Sequence, residues 1–161
     1  MTKKNIFNSS DYAEIKGRIA SLSETNLRQW GSMNLRQMLA HCIVALKNAL
    51  GQSKLPLTGN RIMAIGAKWV GVYMMNEFPK GLPTSPMMNA TKGQLKLMAF
   101  KPEQDELLQL LQQVYQLDAN ASFGLHPLFR KMTRKQWGRI IYMHLDHHLR
   151  QFSGWLFSEA Y

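Results

Sequence analysis

Five histidines, His41, His126, His144, His147 and His148, are the residues of this 161-residue chain best suited to chemistry. Three of them fall in the run His144-Leu145-Asp146-His147-His148. On a helix, His144 and His148 stand about 40° apart around the axis and about 6 Å apart along it, so both imidazoles can reach one ion. Projecting that helix places Trp137, Ile140, Ile141, His144, His148, Gln151, Phe152 and Trp155 on one face, with Arg139, Asp146, Arg150 and Ser153 opposite. The two histidines then lie within the inward stripe, where an unpaired polar ring costs free energy. A carbonyl ordinarily satisfies one buried ring, but two on one stripe are harder to satisfy that way.

His41 is the natural third member, at the border of the inward face of an earlier helix beside Met38, Ala45 and Leu46. If the two helices are antiparallel, His41 lies about 11 Å below the start of its helix and His148 about 15 Å below an end near Ser158, a mismatch of less than one turn. Three imidazoles meeting inside a helical domain make an open metal site with positions left for water or substrate. The zinc-protease pattern is absent, because Leu145 stands where that motif has its catalytic glutamate. Asp146 is expected to point outward as a solvated charge.

Three further side chains are candidates for catalysis, each with a plainer alternative. His147, about 60° from His144, could support or assist the site or simply fill an interface. Gln151 could orient a bound water or be an amide at the edge of the core. His126, before Pro127, could act as acid or base at the mouth or be an inert loop residue. Cys42 lies about 100° around the helix from His41 and reads as a core thiol.

The elements that must position these residues read as helices. Asp11 with Glu14 resembles a capping box, followed by Ile15, Ile19 and Leu22 at helical spacing, which predicts a helix over 11–22. Asn34 with Gln37, and Met33 with Met38 as hydrophobic staple, start a second helix that stops at Gly51. Residues 61–76 form a helix interrupted by Gly66 and Gly71, and 78–93, with three prolines, an irregular crossover. Pro102 at a first helical position, with Glu103, Asp105 and Glu106 behind it, predicts a helix to about Leu117. Thr133 with Gln136, and Met132 with Trp137, start the last helix, which should continue to about Ser158. The fold class is all-α: one bundle domain over 1–161, four main helices and a long crossover containing a short extra helix.

Composition agrees with a single folded domain, since 45% hydrophobic and 19% charged residues supply a core and exclude disorder. One cysteine excludes an intramolecular disulfide and suggests a reducing compartment. The opening residues carry no secretory signal, and the apolar stretch from Ile62 to Met75 is too short to span a bilayer and contains Lys68. A cytoplasmic protein with no membrane partner is therefore expected. Eleven methionines and four tryptophans hint at adaptable apolar surface, though most should belong to the core.

Net charge is +10, and it is unevenly placed. From Thr25 to Asn76 there are six basic residues and no acidic one, and from His126 to Arg139 five more, again without an acid. Such a surplus can serve nucleic acid, an acidic membrane surface or a small anion. No helix-turn-helix, zinc-finger or stacking signature accompanies it, which makes nucleic acid the weaker reading. The cluster Arg130, Lys131, Arg134 and Lys135 at the last helix start is a candidate site for phosphate or the carboxylates of a peptide-like thiol.

Met38-Leu39-Ala40-His41-Cys42 and the final His144-Leu-Asp-His-His148-Leu-Arg-Gln151-Phe152 resemble the DinB-like superfamily, over nearly the whole chain. Within it, the chain is most similar to a group of unassigned function marked by His126-Pro127-Leu128-Phe129, Gln136-Trp137-Gly138 and the histidine run, with a similar Trp30-Gly31-Ser32-Met33-Asn34. The resemblance implies a four-helix bundle in up-down-down-up order and a divalent metal on His41, His144 and His148, Zn or Ni ahead of Mn or Fe. Some members of that superfamily conjugate low-molecular-weight thiols, often as dimers. It therefore implies a metal-dependent thiol transferase or hydrolase, an anionic thiol as substrate and a homodimer, with a non-enzymatic metal-binding or nucleic-acid-associated bundle as the alternative.

Overall fold

A computed structural model describes residues 3–81 and 97–152. It contains α1 (Ser9–Ala20), α2 (Leu35–Ala49), α3 (Arg61–Lys68) running into a π-helical segment (Trp69–Met74), α4 (Phe100–Tyr115) and α5 (Arg134–Gln151). Among the described residues there is no strand, only an isolated antiparallel bridge between His126 and Arg130.

The two helices that carry the histidines begin as their sequences dictate. The Asn34 side chain accepts from the Gln37 N–H at 2.9 Å while Gln37 Oε1 accepts from the Asn34 N–H at 2.8 Å. Thr133 and Gln136 repeat the arrangement on α5. These paired bonds satisfy amides that the first helical turn leaves without partners. α2 ends where Gly51, at φ 72°, turns the chain, and Gln52 N–H reaches the Lys47 carbonyl at 2.9 Å. Only a residue tolerant of positive φ closes this turn without strain.

α1 departs from expectation. It starts at Ser9 after Asn8, which makes no side-chain cap, and ends at Ala20 rather than Leu22. Asp11 forms no box with Glu14, because it is buried and accepts from the Asn5 N–H and the Asn8 side chain, with Lys4 at 3.0 Å. It thereby fastens the preceding segment, whose Ile6 is fully buried and donates its N–H to the Gly138 carbonyl. A Cβ at Gly138 would lie 2.1 Å from Asn5 Oδ1, so glycine is required where this segment crosses α5. α4 begins at Phe100, two residues before Pro102, a position the first turn tolerates because its N–H would be unpaired anyway.

The core is made by Ile15 and Ile19 of α1, Met38, Leu39 and Leu46 of α2, Leu107, Leu111 and Val114 of α4, and Ile140, Ile141, Leu145 and Leu149 of α5. Cys42 lies in it as expected, and burial pushes its thiol pKa up. Polar ties join helix ends: Gln104 Nε2 of α4 donates to the Ile19 and Leu22 carbonyls, and Arg134 of α5 to the Leu117 carbonyl after α4.

α3 does not break at Gly66 or Gly71. It changes pitch at Trp69 into the π-helical turns, and the Met75 N–H bonds the Val70 carbonyl, five residues back. A Cβ at Gly71 would lie 2.8 Å from the Phe129 ring, so that glycine admits the ring against the turn. Arg139 overturns the expectation that it faces solvent. It is buried, and its guanidinium donates to the carbonyls of Val72, at 2.6 Å, and Met75. A cation here meets the negative end of the helical segment. Cover from this segment and from residues 3–8 explains why α5 is buried on more faces than one inward stripe. Its described end is Gln151; the expected extension to Ser158, with Ser153 and Trp155, lies outside the described residues, as does most of the 78–93 crossover.

Candidate metal centre

His41 of α2 and His144 and His148 of α5 converge. His41 Nε2 lies 2.8 Å from His144 Nε2, and His148 Nε2 lies 3.1 Å from that same atom. One ligand nitrogen from each ring falls within 4.8 Å of the others. Two ligands of a tetrahedral ion with metal–nitrogen bonds of about 2.0–2.1 Å sit about 3.3 Å apart, so His144 must move only a few tenths of an ångström from each of its neighbours to share an ion with them. His41 and His148 are buried and His144 is half-buried.

Protonation favours a cation at this point. His148 Nδ1 lies 2.7 Å from Gln151 Oε1, which can only accept, so the proton of the neutral ring sits on Nδ1 and Nε2 offers its lone pair inward. Burial, then the neighbouring rings, holds His144 well below the usual histidine range; burial, then His41, does the same for His148. Nε2 of His144 therefore faces one certain lone pair and a second ring nitrogen, with at most one proton of its own to share. Neutral imidazoles with converging lone pairs are the donor set of Zn, Ni, Cu and Fe sites.

The remaining candidates lie in three different places. Gln151 belongs to the site through its contact with His148. His147 faces the other way: its Nδ1 donates to the Phe78 carbonyl at 3.1 Å, and its ring meets Trp30 and Phe78 edge-on. Burial chiefly lowers its pKa. His126 is occupied by its own loop, where Nδ1 accepts from the N–H groups of Leu128 and Phe129, both at 3.1 Å, and the ring stacks on Phe129. Burial, with Lys68, lowers its pKa to about 4.

Asp146 is not the solvated charge expected of it, because it pairs with Arg18 at 2.8 Å and Arg150 at 2.9 Å and ties α5 to α1. In the basic cluster, Arg130 (φ 59°) donates to the Gly59 carbonyl at 2.8 Å, and Arg134 lies 3.5 Å over the Phe7 ring while donating to Leu117. Lys131 and Lys135 are exposed. The two arginines thus spend donors on backbone carbonyls.

Sequence reasoning passed over the support behind Gln151. The Gln29 N–H donates to the Gln151 carbonyl at 2.7 Å, and Gly31, at φ 82°, lies so near that a Cβ would be 2.8 Å from Gln151 Nε2. The glycine in Trp30-Gly31-Ser32 was the available signal, since positive φ selects it.

No curated protein and no solved structure matches this chain. Residues 1–154 match the family described as Protein of unknown function (DUF1569), and the chain belongs to that family.

Proposed function

We propose that this chain is a divalent-metal enzyme of the DinB-like superfamily, with His41, His144 and His148 as ligands and a thiol or water as the activated nucleophile. The observation that carries the proposal is the meeting of three Nε2 atoms, one of them aimed by Gln151. An up-down-down-up bundle belongs to the same reading. Its support is the pairing of Arg36 with Met98 and of Lys47 with Glu106, which runs α2 and α4 the same way, and the ties of Gln104 and Arg134, which set α4 against α1 and α5.

A bound divalent ion would supply Lewis acidity, lowering the pKa of a thiol or water at a remaining position. The protein's own residues supply orientation. Gln151 fixes the tautomer and ring plane of His148, and burial keeps His144 and His148 neutral. His147, with Nδ1 committed to Phe78, has Nε2 as its available base atom. His126 we assign to holding its loop.

Elemental analysis of untagged protein tests the reading, with wild type compared with His144→Ala and His148→Ala. About one equivalent of Zn, Ni, Mn or Fe is expected in wild type and a large loss in both variants. Wild type that is metal-free and takes up none of the four ions defeats it.

A further inference from the structure

Most of the large apolar side chains left exposed among the described residues are concentrated in one segment. Ile62 is 82% exposed, Ile65 70%, Trp69 59%, Tyr73 50% and Met74 60%. Ile62, Ile65 and Trp69 recur at i, i+3 and i+7, so they line one ridge of α3, which the π-helical turns extend. The opposite side is anchored: Ala64, Gly71 and Val72 are buried and Arg139 grips the far end. Scattered exposed apolar residues are ordinary on a protein, but a contiguous stripe marks an interaction surface.

The charges around the ridge decide what fits it. Lys3 donates to the Tyr73 carbonyl, Lys68 to the Lys131 carbonyl at 2.6 Å, and Arg130 to the Gly59 carbonyl at 2.8 Å. Arg61 opens the helix, and Lys54 lies just upstream, exposed. Among the described residues none of these six cations, counting Lys131, pairs with a carboxylate, so their charge is unneutralised. The nearest acid in the chain beyond the ridge, Glu77, is held by Arg150 at 2.6 Å.

We propose that α3 and the π-helical segment dock this protein on an anionic lipid surface, with Ile62, Ile65 and Trp69 entering the headgroup–acyl boundary and the exposed Arg61 and Lys131 facing the lipid charges, while Lys3, Lys68 and Arg130, each with a donor committed to a backbone carbonyl, add positive potential beside them. Apolar residues including an aromatic, flanked by cations alone, are the composition of an interfacial helix. No helix among the described residues is long and apolar enough to cross a membrane, so this is attachment to a surface, and it departs from the sequence-based expectation of no membrane partner. A second copy of the chain is the poorer occupant, because a two-fold contact would set this ring of cations against itself. The proposal is independent of the metal site.

Sedimentation with vesicles tests it, using phosphatidylcholine alone and phosphatidylcholine mixed with phosphatidylglycerol, at low and high salt. Wild type should sediment with the anionic vesicles at low salt and not with the neutral ones. The Ile65→Ser/Trp69→Ser variant, altered only at exposed positions, should lose about tenfold or more in partitioning while its circular dichroism is unchanged. Three results overturn it: no binding to anionic vesicles, equal binding by the variant, or a wild-type dimer in solution that the variant converts to monomer.

Discussion

Acidification should expose what His126 does. Its Nδ1 accepts two backbone N–H bonds and its ring is packed against Phe129, so a proton on Nδ1 breaks both bonds in a half-buried loop. The folded pKa is about 4 against an ordinary 6.5. Above pH 6.5 the ring is neutral in both states and contributes no pH dependence. Between 6.5 and 4 the unfolded chain binds a proton that the folded chain refuses, so stability falls as pH falls; below 4 the loss is complete. At about 1.4 kcal/mol per pKa unit, the window is worth about 3 kcal/mol. His126→Asn offers an acceptor oxygen to the same N–H groups but does not titrate. Urea unfolding of both proteins in chelator at pH 7, 5.5 and 4 is the assay. The stability of wild type relative to the variant should drop by about 3 kcal/mol across the series. Parallel curves, or an NMR titration of His126 near 6.5, would refute the reasoning and return this ring to the list of acid–base candidates.

Gln151→Leu should weaken metal binding about 10–100-fold in a chelator competition, with Gln151→Glu restoring most of it, because only the latter keeps an acceptor for His148 Nδ1. Cys42 should be silent to a thiol reagent in the native protein and react once per chain after unfolding, since burial raises its pKa. Arg139→Leu should cost about 2–3 kcal/mol in urea unfolding and speed amide exchange across 61–76, because charge-assisted bonds hold the Val72 and Met75 carbonyls. Unchanged exchange there would show that the guanidinium holds nothing.

Local chemistry made some of this legible in the sequence. The Asn34/Gln37 and Thr133/Gln136 boxes are decided within one turn, and so were readable at their residues. The i, i+4 spacing of His144 and His148 forces two rings together on any helix, which left only His41 to be placed. Arg139 was misread because helical projection knows only one helix: the cover comes from the π-helical segment some seventy residues earlier. Asp11 misled for the same reason, its partners being Asn5, Asn8 and Lys4 rather than the turn it begins. The roles of His126 and Gly31 depend on which amides or side chains come near them, and spacing does not encode that.

Gln151 serves two structures at once. Its side chain sets His148, and its carbonyl holds the Gln29 amide in the loop between α1 and α2. Anything that binds only the native arrangement of the three rings adds its binding free energy to that arrangement, and the loop shares the gain through this one residue. The Gln29 amide thereby becomes a gauge of occupancy: its exchange with solvent should slow as the site fills, although it is not itself part of the site.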